Sequence, residues 1–265
     1  MWSTFRRYAR IYGVQIKNNF VREAVYRTNF LTSLAVDIVW MVIELSFFSI
    51  LYANTPVLMG WTKPQVYFFL GIFFASDALF TTFFQRNFWQ FSDLVNKGEL
   101  DILLTKPVHP VFLALSRWIN LTNILNFIVG MVIAVRFAPA AGFLGGWHWL
   151  TVAAWLAFGV ISALLIRFAF SIWVFWTERS WAISRLYYQF FHFASLPDTL
   201  FPKMIRYLLL TLVPVAFIGS VPARAILHGL EPSEYALLAG VLTFFFVANG
   251  LLWHAGLRRY QSVSS

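Results

Sequence analysis

RNFWQFSDLVNKGELDILLTKPVHP, running from Arg86 to Pro110, is the longest polar interval between two apolar spans, and its reading decides how the chain is laid out. Asp93, Lys97, Glu99, Asp101 and Lys106 fall within fourteen positions of it. On either side the sequence is hydrocarbon-like for about twenty residues at a time, enough to cross a bilayer core of roughly 30 Å. Such an interval has to sit in water while its flanks do not. The flanks therefore predict an all-α integral membrane protein.

Composition agrees. Of 265 residues, 60% are hydrophobic and 12% charged, where a soluble domain carries about a quarter charged residues. The net charge of +9 comes from Lys and Arg at the ends of apolar spans. That placement points to topology and lipid head groups, and to no nucleic-acid partner. Cysteine is absent, which excludes disulfides, a thiolate nucleophile and Cys metal sites. His148, His192 and His254 stand singly, without the paired spacing of a metal site. No Ser/His/Asp set can be chosen and no GxxxxGK[ST] loop occurs, so no catalytic residue, cofactor or metal is assigned to this chain. Any energy from ATP would have to come through another polypeptide. Arg6, Arg7 and Arg10 are not followed by a short apolar core with a cleavage site, so the N-terminus is not expected to be a secretory signal.

Working outward gives six spans. Residues 1–28 hold an amphipathic helix expected to lie in the interface, with Phe5, Tyr8, Ala9, Tyr12 and Ile16 on one face and Arg6, Arg10 and Lys17 elsewhere. The spans are placed at about 29–53, 65–84, 118–137 and 149–176, then from Trp181, and last at 235–254. Between the last two lies 195–234, with Pro197, Pro202, Pro214, Pro222 and Pro232. Its apolar part, Tyr207 to Ile218, is too short to cross and is interrupted by Pro214. It is read as a re-entrant helical hairpin. With the N-terminus inside, fourteen of the twenty Lys and Arg residues fall on the inner side and five on the outer. A seventh crossing would put Arg258 and Arg259 outside, so the asymmetry favours six crossings with both termini cytoplasmic.

Four charges lie within apolar spans. Asp37 and Glu44, seven residues apart, share a helix face; Asp77 is well inside the second span and Arg167 in the fourth. A mid-bilayer charge costs about 2.5–3.5 kcal/mol on insertion scales, so each needs a counter-group or a wet cavity. Two readings stand side by side: a substrate path or proton relay, and an interhelical ion pair such as Arg167 with Asp77 or Glu44.

The stretch Gly98-Glu99-Leu100-Asp101-Ile102-Leu103-Leu104-Thr105-Lys106-Pro107-Val108-His109-Pro110 matches the G-x-L-D-x-x-L-x-[KR]-P-x-x-P signature of bacterial ABC type 2 exporter membrane subunits, and the chain resembles that family in layout over nearly its whole length. PDTLFPKMIRYLLLTLVPVAFIGSVPARAIL is similar to the family's re-entrant region. The resemblance implies a single permease domain over 1–265 that pairs with a second copy or a paralogous permease, in a bacterial inner membrane. It also implies an ATP-hydrolysing partner holding ATP and Mg, and a cytoplasmic coupling segment at 86–110. Within that segment Ser92 or Asp93 is expected to cap a short helix and Gly98 to end it. Leu94, Val95, Leu100 and Leu103 are expected as apolar anchors for the partner, and Glu99 and Asp101 as acceptors. The cargo expected is amphipathic, drug-like or lipid-like. The competing class is a proton-coupled secondary transporter using Asp37, Glu44 or Asp77.

Overall fold

The computed structural model describes residues 2–25, 27–143, 145–177 and 180–260, with side chains omitted at 2–4, 23–25, 27–31 and 180–181. Helix α1 (Trp2–Val25) is followed by α2 (Arg27–Leu51) and a two-rung hairpin of β1 (Val57–Leu58) and β2 (Trp61–Thr62). Thr62 then opens α3 (Lys63–Phe80), with Pro64 in its first turn and the Gln65 side chain reaching back to the Thr62 N–H at 3.0 Å. That reciprocal cap satisfies donors a helix start leaves open.

The structure corrects one expectation here. The helix of the second span does not end near Phe84, and neither Ser92 nor Asp93 caps a new helix. A π-helical turn at Thr81–Gln85 joins α3 directly to α4 (Arg86–Asn96), giving 34 continuous helical residues. The cause is plain in the sequence: no Gly or Pro lies between Gly71 and Gly98. Gly98, at φ 73°, is where the helix stops, in the left-handed region that favours glycine. The π turn also frees the Thr82 carbonyl, which accepts from the Asn120 N–H at 2.8 Å.

Beyond Gly98 come the short helices α5 (Leu100–Leu104) and α6 (Pro110–Ser116), then α7 (Asn123–Ala141) and α8 (Trp149–Ser171), the last prolonged by a 3-10 turn at Ile172–Phe175. The expected polar turn TERS falls partly on Glu178 and Arg179, which lie outside the described residues. Next are α9 (Ser180–Phe191), α10 (Lys203–Thr211), α11 (Ser220–His228) and α12 (Pro232–Arg259). Among the described residues five helical runs are long and apolar enough to cross a membrane; α9 is not one of them.

The core is organised on α3. In its most apolar window 78% of residues are buried, against 11% for α2, so α3 is the central post and α2 the peripheral one. Helix α3 crosses α7 with backbones in contact: a Cβ on Gly71 would stand 2.5 Å from Ala134 N, and one on Gly130 would stand 2.7 Å from Ala75 N. Small residues at a helix crossing permit that approach, which is how helices associate where lipid supplies no hydrophobic drive.

Contacts sort the chain into two ends. At one end the Trp61 Nε1–H donates to Thr199 Oγ1 at 2.8 Å and the Trp61 ring meets His228 at 6.2 Å. There Asp198, fully buried, accepts from Arg206 Nε at 2.7 Å and from the Ser220 hydroxyl; Arg224 Nε lies 3.6 Å from it, and Arg224 Nη1 donates to Glu234 at 2.6 Å. From that end α10 and α11 form a hairpin whose tip, Val215 to Gly219, sits against Gly159 and Phe73 in the middle of α8 and α3. At the other end are α1, the 97–122 region and the last turn of α12.

Candidate functional site

The polar end is built on α1. Its inward stripe is Tyr8, Ile11, Tyr12, Gln15 and Asn19, at helical spacing. Tyr8 Oη accepts from the His109 N–H at 3.0 Å, Asn19 Nδ2 donates to the Arg117 carbonyl at 3.1 Å, and Ser116 Oγ donates to Gln15 Oε1 at 3.2 Å. Helix α1 thus clasps the segment that follows the helix stop, while Phe5 and Phe20 remain exposed. Asn87, buried, exchanges two 2.8 Å hydrogen bonds with the backbone of Trp118. Three guanidinium groups, those of Arg22, Arg86 and Arg117, lie 4.4, 5.2 and 5.3 Å from the Trp118 ring centroid.

Within 86–110 the side chains divide by face. Leu94, Val95, Leu100 and Leu103 turn inward and belong to this chain's own core. The apolar side chains presented outward are Trp89, Ile102 and Leu104, the first two about 60% exposed. Glu99 is exposed; Asp101 is half-buried beside Tyr260, and burial first, then that carboxylate, pushes the Tyr260 hydroxyl above the ordinary phenol range. Asp93 pairs with Lys97 at 3.1 Å on an open face, an i,i+4 pair worth a few tenths of a kcal/mol, about 0.3–0.5. The 86–110 stretch is therefore anchored to the core on one side and exposed on the other.

The second locus lies among the spans. Asp37, Glu44 and Asp77 all line one cavity of about 400 Å³ between α2, α3, α4, α7 and α9. Asp77 is within electrostatic reach of both other carboxylates. Asp37 accepts from Asn126 Nδ2 at 2.6 Å. Aromatic rings, among them Trp40, Phe73, Trp89 and Tyr188, make up much of the wall. Asn123, Asn126 and Gln85 are the lining amides that pattern reading passed over. The signal was there, since an amide inside an apolar span has the same need for a counter-group as a charge does.

Arg167 stands apart from these carboxylates. It is fully buried, its Nη2 donates to Ser184 Oγ at 3.3 Å, and its guanidinium lies 4.7 Å over Tyr187 and 5.2 Å over Tyr188. Among the described residues no ion pair joins it to Asp77 or Glu44; Tyr187 lies within reach of both Arg167 and Asp77. Aromatic faces can hold a guanidinium where an ammonium would not stack. Arg167→Lys is accordingly expected to lower the thermal midpoint in detergent, by the equivalent of about 1–2 kcal/mol, and an unchanged midpoint would argue against the stack.

Among the described residues no group of three His, Cys, Asp or Glu is gathered as for a metal ion. A family model described as ABC-2 family transporter protein matches residues 38–264. No curated protein and no solved structure matches the chain.

Proposed function

This chain belongs to the ABC-2 transporter family, and from that premise we propose that it is the membrane-spanning subunit of an ATP-driven exporter whose ATP is hydrolysed on a separate polypeptide. The match over residues 38–264 carries the reading. The chain has no phosphate-cradling loop of its own, so ATP and Mg are assigned to the partner. The cargo is amphipathic, drug-like or lipid-like.

The inner end is the one with α1, 97–122 and the last turn of α12, because Lys and Arg concentrate there. Both termini are then cytoplasmic and the membrane a bacterial inner membrane. Six crossings follow if α9 and the 3-10 turn after it (His192–Ser195) cross together. Their sixteen residues span about 26 Å at 1.5 and 2.0 Å per residue, close to a bilayer core. The α10–α11 hairpin, tip at mid-depth and both ends returning outward, is the re-entrant element. The apolar outer face of α2 is assigned to lipid and to a second permease, whether a copy or a paralogue.

Coupling is assigned to 86–110, with Glu99 first and Asp101 second. Leu94, Val95, Leu100 and Leu103 hold the segment to the core, and Ile102 and Leu104 offer the apolar contact. ATP binding on the partner would move this segment, and a ligand-driven shift needs contacts that differ between states. Purification from native membranes in mild detergent is expected to bring down a P-loop ATPase. Glu99→Ala with Asp101→Ala should reduce stimulation of that ATPase by cargo at least tenfold. Wild-type stimulation and transport in the double variant would remove the coupling assignment.

The carboxylates around one cavity also suit a proton-coupled secondary transporter. That reading predicts uptake or efflux driven by a pH gradient in vesicles that hold no ATPase.

A further inference from the structure

The cavity between α2, α3, α4, α7 and α9 gathers three carboxylates on its wall, with the hydroxyls of Thr81, Tyr187, Tyr188 and Ser195 beside them. Asp37, Glu44 and Asp77 are acceptors when ionised, and His192 is the one side chain of its lining able to carry positive charge. The amides deepen the bias. Asn126 is 4% exposed, and its Nδ2 is committed to Asp37 at 2.6 Å and to Asn123 Oδ1 at 3.1 Å. The Asp37 carboxylate requires a donor, which fixes the amide's orientation and leaves Asn126 Oδ1 buried with no hydrogen-bond partner. Gln85, 8% exposed, donates through Nε2 to Tyr188 and leaves its Oε1 buried in the same condition. Glu44 Oε2 is a third such oxygen. These three acceptors, with the equally unpartnered Tyr187 hydroxyl on the same wall, ask for a donor, since a buried acceptor left unpaired bears the full cost of its lost hydration.

The shape of the arrangement narrows the donor. The carboxylates are not gathered into a metal-ion ligand set. Asp37 and Glu44, seven residues apart on α2, are separated by about 10 Å along the helix axis. A volume of about 400 Å³ is in the range of small-molecule pockets. Trp40, Phe73 and Trp89 provide ring faces, and such faces attract a diffuse positive charge on an apolar body.

We propose that this cavity binds lipophilic organic cations, and that such cations are the cargo. The assignment of cargo rests on the exporter reading given above; the binding does not. The apolar body lies against the rings while its charge, and any N–H it carries, is met by the carboxylates and by Asn126 and Gln85.

The test is equilibrium dialysis of radiolabelled tetraphenylphosphonium against the full chain in lipid nanodiscs, with protein-free nanodiscs subtracted. Saturable binding is expected, and the isosteric anion tetraphenylborate should not compete. Glu44→Gln with Asp77→Asn should weaken binding at least tenfold, and Asp37→Asn alone should weaken it too. Equal binding of phosphonium and borate, no saturable binding, or affinity unchanged in carboxylate variants that elute as the wild type does would each overturn the proposal. The comparison of the two ions uses the unaltered chain, so it stands even where a variant misfolds. Because the assay contains neither ATP nor ATPase, a failed purification of the partner and a failed binding experiment are separate results.

Discussion

Gly71→Val is expected to leave almost no correctly assembled protein. The added Cβ alone would stand 2.5 Å from Ala134 N, 2.8 Å from Ala134 Cα and 2.8 Å from the Gly130 carbonyl, all of them backbone atoms of the opposing helix. A flexible side chain in the way could swing aside; a helix backbone cannot. The central post would have to move off α7 along its whole crossing, and overpacking of this kind costs about 1–3 kcal/mol even where side chains can yield. Gly71→Ala should already lower the monodisperse fraction on size-exclusion chromatography, and Val should abolish it. Gly240→Val is the matched control, because nothing lies within 4 Å of a Cβ there. If both valine variants behave alike, close backbone contact is not what holds α3 to α7.

The second large effect is expected at Asp198. Its carboxylate is fully buried and faces Arg206, Arg224 and the Ser220 hydroxyl, while its own N–H donates to Ser220 Oγ at 2.8 Å. This one side chain ties the 3-10 turn at Asp198–Leu200 to α10 and α11, and through Arg224 to the start of α12. Removing Asp198 strips Arg206 of its carboxylate and leaves Arg224 only Glu234; breaking a buried ionic set in this way costs up to about 3–5 kcal/mol. Asp198→Ala should therefore depress the detergent thermal midpoint strongly, and Arg206→Ala, whose partner keeps Arg224, should do so less. A midpoint for Asp198→Ala equal to that of the wild type would mean the network is not needed to hold the hairpin.

The apolar runs and the proline cluster made an all-helical membrane protein legible, with span starts within a few residues for α2, α8 and α12. The helix stop at Gly98 was legible because it is a backbone preference. Four things were not. The length of the helix before Gly98 was missed because polar residues from Arg86 onward were taken to end it, although polarity does not break a helix and only Gly or Pro would have done so. The facing of Leu94, Val95, Leu100 and Leu103 could not be read, because an amphipathic turn has an apolar side whether that side meets its own core or another molecule. The meeting of Asp37, Glu44 and Asp77 in one cavity depends on how α2 leans on α3, a tertiary fact that spacing within each helix does not contain. The same holds for Arg167, whose aromatic neighbours Tyr187 and Tyr188 come from a different helix.

The unbroken run from Lys63 to Asn96 also has the length and continuity of a lever. At 34 residues it is about 51 Å long, well beyond the thickness of a bilayer core. Gly98 releases it at one end and the β1–β2 hairpin receives it at the other. Asp77 and Gln85 ride on the shaft between them. Tilting a rod of that length by about 10° about its midpoint carries each tip about 4 Å in opposite directions. A push delivered near Asn96 would therefore arrive at the cavity wall and at the far hairpin together, with no relay of side chains to carry it.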